Sequence, residues 1–298
     1  MRHSFVLPGA AGCLALLALV ACGGGGGSSP TSTPAMAASG YVSTHLISNR
    51  NAANNPYSTA NVDPRLVNPW GIAFNPQGFV WVANNGSSTS TLYDGDGVRQ
   101  TLVVAIPAGA SGSAEATGIV FNGTQSFPVT QAGVTAPALF IFVGEGGTVS
   151  AWSPTVDANS AILVVDRAAE GKSYKGAALA SAGGAPRLYA ADFHNGVVDV
   201  YDGNFAPVVK AGAFSDPQLP AGYAPFGIQA IGSQIVVAYA KQDAQAADEV
   251  GGPGLGAVDV FDSAGNLTAR LIAPGGKLNA PWGMALAPAN FAKTTGFV

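Results

Sequence analysis

Apolar residues along this chain fall in short runs separated by glycine, proline and polar turn residues, and one phrase returns five times. It reads Asn68-Pro-Trp-Gly-Ile-Ala-Phe74, Ala116-Thr-Gly-Ile-Val-Phe121, Lys175-Gly-Ala-Ala-Leu-Ala180, Ala224-Pro-Phe-Gly-Ile-Gln-Ala230 and Ala280-Pro-Trp-Gly-Met-Ala-Leu286. Each copy is a turn, a glycine and a short apolar strand. The glycines at 71, 118, 176, 227 and 283 lie 47, 58, 51 and 56 residues apart. A second apolar run follows within each period, at 79–83, 139–143, 187–191 and 234–239. A third, at 91–95, 149–153, 198–203 and 258–263, closes in turn residues such as Asp-Gly, which is hairpin chemistry. A fourth is read at 100–106, 161–166, 208–214 and 269–272. No mature segment shows helical periodicity with caps. Four short strands in about 50 residues predict an all-β chain, a β-propeller of four-stranded blades. A β-sandwich of unrelated strands would not explain the returning phrase.

The run Asp63-Pro-Arg-Leu-Val-Asn-Pro-Trp-Gly-Ile-Ala73, the Trp81-Val-Ala-Asn-Asn85 after it, and Asn279-Ala-Pro-Trp-Gly-Met-Ala-Leu-Ala-Pro288 resemble a bacterial family of conserved hypothetical propellers. That family is similar to NHL-repeat and gluconolactonase-type six-bladed proteins. The resemblance spans residues 41–298 and implies a six-bladed ring, with no established activity attached. Four repeats are complete, and a fifth reaches one strand before Gly296-Phe-Val298, which echoes Gly78-Phe-Val80. Six blades at this period need about 320 residues. The expectation is therefore about four complete blades of a ring truncated at its C-terminus, with Tyr41–Ser48 as the strand that completes the last blade.

Composition narrows the function classes. Thirteen Lys+Arg stand against 17 Asp+Glu, so there is no basic excess for a nucleic-acid backbone. Forty glycines occur without a G-X-Y register, which excludes collagen, and 48% hydrophobic residues is too many for a disordered chain. Charged residues are only 10%, against roughly 25% in soluble domains, as sheets stacked face to face require.

The N-terminus predicts an address. Residues 1–21 place Arg2 before an apolar stretch, the layout of a secretory signal. Leu19-Val20-Ala21-Cys22 looks like a bacterial lipobox, with Cys22 as the lipid-attachment residue. The tract 22–40, rich in Gly, Ser, Thr and Pro, reads as a flexible tether spanning roughly 20–25 Å. Residues 41–298 are the propeller domain. Together these predict an extracytoplasmic, lipid-anchored protein of the cell envelope. Gly23 in place of Asp favours the outer membrane over the inner one, by resemblance to enterobacterial sorting. With Cys13 in the signal and Cys22 lipidated, no thiol remains for a disulfide, a zinc site or catalysis.

In propellers, the loops entering the first strands share one face with the loops between second and third strands. The first set supplies Asn68, Trp70, Glu115, Lys175, Phe226 and Trp282. The second supplies Asn84, Asn85, Glu145, Asp192, His194, Asn195, Lys241, Gln242 and Asp243. Such oxygen-rich residues either cap strand ends or converge on Ca²⁺ or a small polar ligand. Gluconolactonase-like propellers hold a divalent ion with Glu, Asn and Asp in a comparable place. Trp70, Phe226 and Trp282 recur at one repeat position, either as packing between blades or as an aromatic platform for a sugar. Only His45 and His194 remain after the signal, which excludes a three-His zinc. Gly171-Lys-Ser173 lacks the first glycine of a phosphate-binding loop, and no Gly-x-Ser-x-Gly elbow exists. The reading is an envelope lipoprotein whose loop face binds a small polar ligand or an envelope protein. The alternative is a divalent-metal hydrolase or lactonase using Asn85, Glu145, Asp192 and Asp243.

Overall fold

The computed structural model describes residues 44–50, 59 and 61–287. The signal, Cys22, the tether, residues 41–43 and the Gly296–Val298 echo all lie outside them. The described chain is all-β. It opens with β1 (Ile47–Ser48) and β2 (Asn61–Val62), which pair in parallel. The first blade is β3 (Pro69–Phe74), β4 (Val80–Asn84), β5 (Thr89–Tyr93) and β6 (Arg99–Ala105), in that spatial order. The second is β7 (Ala116–Phe121), then a side hairpin of β8 (Pro128–Gln131) and β9 (Val134–Pro137), then β10 (Phe140–Gly144), β11 (Thr148–Trp152) and β12 (Ile162–Asp166). The third is β13 (Tyr174–Ala182), β14 (Ala185–Asp192) and β15 (Val197–Tyr201). The fourth is β16 (Tyr223–Ile231), β17 (Gln234–Lys241), β18 (Gly256–Asp262) and β19 (Leu267–Ile272).

The first strands β3, β7, β13 and β16 stand side by side, so the blades form a propeller-type arc around one axis. This explains the returning glycine at three of its five positions. A Cβ on Gly71 would lie 2.6 Å from the Thr117 carbonyl oxygen, and one on Gly118 would lie 2.6 Å from the Ala177 nitrogen. One on Gly227 would lie 1.9 Å from the Trp282 carbonyl oxygen. At each, a side chain would collide with the backbone of the next repeat, whereas a Cβ on Gly176 would meet nothing nearer than 3.4 Å and one on Gly283 nothing within 4 Å. The axis is an apolar cavity of about 750 Å³ lined by Ile72, Phe74, Ile119, Ile228, Met284 and Leu286.

Cores form between blades. Trp81 stacks on Phe140 at 4.1 Å and sits 4.9 Å from Trp152, joining the first blade to the second. Tyr174, Leu188 and Tyr201 pack with Val143 and Val149 between the second and third. Tyr189, Phe214 and Phe261 fill the space between the third and fourth. Sheets covered on both faces leave few positions for charge.

Three expectations are corrected and one element is new. Val208–Phe214 does not form a fourth strand in the third blade. After one bridge between Tyr201 and Pro207, the chain turns away and seats Phe214 (φ 55°) against Tyr189 and Phe261. Ala280–Leu286 is not a strand over its described residues; it lies along β16 without a ladder partner. Among the described residues the N-terminal strand is Ile47–Ser48 and pairs with β2, with Asn61 Nδ2 donating to the Leu46 and Asp96 carbonyls beside the first blade. The β8–β9 hairpin was unforeseen. Its Ala132-Gly133 turn has both φ positive (50° and 80°), the twist that suits a two-residue hairpin. Phe127 before it packs on Phe205 at 5.1 Å, and the insertion accounts for the 58-residue spacing.

Candidate functional site

The loop face is built by one backbone contact repeated in every blade. The residue after each second strand donates its N–H to the loop entering the first strand. Asn85 bonds the Asn68 carbonyl (3.1 Å), Glu145 that of Glu115 (3.1 Å), Phe193 that of Ser173 (2.8 Å) and Gln242 that of Gly222 (2.7 Å). Asn85, Glu145, Phe193 and Gln242 are therefore equivalent positions. A second equivalent set precedes the recurring glycines: Trp70, Thr117, Lys175, Phe226 and Trp282. The two sets meet at the axis.

At the meeting point Asn85 Nδ2 donates to Glu145 Oε2 at 2.6 Å, and Asn68 Nδ2 donates to Asn85 Oδ1 at 3.1 Å. Glu145 Oε1 accepts from the Lys175 ammonium, whose side chain is 1% exposed. Asp248 Oδ1 lies 3.4 Å from the same nitrogen. Aromatic rings enclose this cation. Lys175 Nζ is 5.6 Å from the Trp70 ring centre and 5.7 Å from that of Phe193, distances at which ring quadrupoles attract a cation. Trp70 packs edge-on against Trp282 at 5.5 Å and Phe226 at 6.0 Å, while Trp282 Nε1 donates to the Lys175 carbonyl at 2.7 Å. Trp70, Phe226 and Trp282 thus pack on one another as a plug over the axial cavity.

Beside the plug is a pocket of about 450 Å³ lined by Ser111, Glu115, Glu145, Lys172, His194 and Asp248. Glu115 is exposed and sits at a φ of 44°, a left-handed conformation unusual outside glycine and Asn. Lys172 is already engaged, at 3.0 Å from Asp192 Oδ2 and 2.9 Å from Asp199 Oδ2. Burial opposes its charge, but the Asp199 and Asp192 hydrogen bonds prevail and hold its pKa above the usual lysine value. His194 borders the pocket with Nδ1 3.2 Å from the Ala246 carbonyl oxygen.

The remaining sequence candidates disperse. Asn84 is buried, and its amide donates to Thr89 and Thr91 within the first blade. Asp192 accepts from the Ser173 and Asn195 N–H groups and from Asn195 Nδ2 as well as from Lys172. Asp243 caps its own turn through the Gln245 and Ala247 N–H groups. Gln242 Nε2 donates to the Phe193 carbonyl at 2.6 Å. Of the proposed metal ligands only Asn85 and Glu145 meet, and Asn85 offers Glu145 an amide N–H while an ammonium holds the other carboxylate oxygen. That donor set does not fit Ca²⁺, which needs six to eight oxygens. Among the described residues no group of three or more His, Cys, Asp or Glu could hold a metal ion. Phe193 and Asp248 were missed. Phe193 follows an Asp that reads as the strand end but lies one position early, and Asp248 stands in a loop outside the repeat.

These features describe an all-β, blade-built protein with a polar pocket on its loop face. No protein-family model matches the chain. It is similar to two uncharacterized proteins of Acanthamoeba polyphaga mimivirus. One is 35% identical over 251 residues, covering 82% of this chain and 60% of the relative. The other is 34% identical over 257 residues, covering 82% and 64%. The chain thus spans less than two thirds of the length of these relatives, and both are viral where the resemblance implied a bacterial family. Solved structures with similar folds include Kuenenia stuttgartiensis hydrazine synthase (TM-score 0.44, 16% identity, 76% of this chain and 53% of that one). Virginiamycin B lyase from Staphylococcus aureus is another (0.39, 10%, 67% and 64%).

Proposed function

We propose that the chain is a lipid-anchored, extracytoplasmic binding module whose loop-face pocket takes a small polar ligand carrying hydroxyl and ammonium groups. The observation that supports this is the charge of the rim. Glu115 and the largely exposed Asp248 face the pocket, while Lys172 is held by Asp192 and Asp199, and Glu145 is taken up by Lys175 and Asn85. Ser111 and Ser173 add hydroxyls beside them. Glucosamine is a suitable probe, with glucose and gluconate as uncharged and anionic controls. A ligand of the native state raises the melting temperature, so glucosamine should raise it at millimolar concentration and gluconate should not. Equal shifts from all three, or none, would overturn the reading.

The anchor rests on Leu19-Val20-Ala21-Cys22 followed at once by the Gly/Ser/Thr/Pro tract. Several acyl chains on Cys22 would give stable attachment, since a single chain binds a bilayer only reversibly. Expressed in a bacterium, the wild-type chain should fractionate with membranes and Cys22→Ala should not. Identical fractionation of the two would remove the anchor from the account.

A further inference from the structure

We propose that the outer edge of the third blade is a docking site for an extended acidic peptide, which adds as the blade's missing fourth strand. The first, second and fourth blades each end in a paired outer strand, whereas β15 has no fourth partner. One contact occupies its outer side: the Val208 N–H donates to the Val200 carbonyl at 2.7 Å, next to the single bridge at Pro207. N–H and C=O of one residue in an antiparallel strand point to the same side. Val198 is therefore turned outward like Val200, and among the described residues no backbone partner lies across from it.

Along this edge runs a groove of about 450 Å³ with an apolar wall and cationic ends. Val197 is 41%, Val208 37% and Val209 90% exposed. Arg187 and Lys210 line it with no carboxylate partner among the described residues, and Arg167 beside them is clasped by Glu170; the one carboxylate in the lining, Asp199, is turned to Lys172 and to the Tyr174 hydroxyl. An open edge recruits a strand through its unpaired backbone groups, and side-chain pockets select which one. The two cations without a carboxylate partner, Arg187 and Lys210, disfavour a second copy of this same edge and select an occupant of opposite charge. The partner is an extended segment alternating apolar and acidic residues, its apolar side toward the valines and its carboxylates toward Arg187 and Lys210.

The test is fluorescence anisotropy of the full-length chain with two labelled hexapeptides, Val-Glu and Val-Lys alternating. The acidic peptide should bind and the basic one should not, and the acidic complex should weaken severalfold between about 50 and 300 mM salt, since screening acts on exposed charge contacts. Val198→Pro removes the outward N–H without touching the ladder to β14, since proline is tolerated where an edge N–H faces solvent. It should weaken binding at least fivefold. Should that variant fail to fold, the double variant Arg187→Glu/Lys210→Glu serves instead and should abolish binding. Equal binding of the two peptides, no binding of either, or binding unchanged in these variants would overturn the proposal. So would self-association of the wild-type chain that Val198→Pro abolishes, which would make a second copy the occupant.

Discussion

Lys175 shows how much one residue carries at this site. Its ammonium is buried, yet it is matched by Glu145 and enclosed by Trp70 and Phe193, which is how a fold tolerates a charge so far from water. Removing the Glu145 carboxylate leaves the cation only the longer contact to the exposed Asp248. Glu145→Gln should cost about 2–4 kcal/mol in urea unfolding, reduced from the fully buried case because Glu145 keeps some exposure. Adding Lys175→Met should recover a large part of that loss, and strictly additive effects in the double-mutant cycle would show the pair to be uncoupled. A second titratable cluster lies in the fourth blade. Asp216 is clasped by Arg270 through Nε (2.6 Å) and a terminal guanidinium nitrogen. Asp259 beside it is 2% exposed, and its Oδ2 has no hydrogen-bond partner in the protein. Burial, with repulsion from Asp216, raises its pKa from 3.8 to about 6. The folded state therefore keeps a proton that the unfolded state releases near pH 4, and stability falls as pH rises from about 4 to 6. Asp259→Asn copies the protonated form. It should stabilise the protein at pH 7.5 by on the order of 2–3 kcal/mol, with the gain vanishing by pH 4. A gain independent of pH would refute this assignment.

Strands and their spacing were legible because they follow from local chemistry that repeats. The glycine phrase predicts β3, β7, β13 and β16, and the apolar runs predict all four second strands to within a few residues. What the pattern could not show is where tertiary packing overrides it. Val208–Phe214 has strand composition, yet the chain leaves β15 after the Tyr201–Pro207 bridge because Phe214 is worth more inside the inter-blade core than on an edge. Ala280–Leu286 carries the whole phrase and has no second strand to pair with among the described residues. It is nevertheless held to β16 at the glycine. Gly227→Ala would drive a methyl into the Trp282 carbonyl, and we expect a loss of about 2–4 kcal/mol together with a red-shifted tryptophan emission as Trp282 leaves the plug. Gly95→Ala, with nothing within 4 Å of the added carbon, is the control and should change stability by less than about 0.5 kcal/mol. Equal losses at the two positions would contradict the packing argument.

Across the whole molecule, the blades are stacked by apolar faces and close-approach glycines, leaving chemistry to one loop face. Sequence periodicity placed Asn85, Glu145, Lys175 and Trp70 on that face, and the structure brings these four together. It could not distinguish them from Asp192, Asn195 and Asp243, which have the same residue types but bond locally. The difference is a one-residue offset at the end of the second strand, where Phe193 rather than Asp192 or His194 is equivalent to Glu145. Charge balance then turns an oxygen-rich face from a cation cage into a pocket with an acidic rim. Titration calorimetry with glucosamine tests that claim most directly, comparing the wild-type chain with the double variant Glu115→Gln/Asp248→Asn. Neither substitution touches the inter-blade cores. Saturable binding to the wild type, weakened at least tenfold in a variant that still unfolds cooperatively, is the predicted result. Binding of equal strength to both proteins, or to neither, would contradict it.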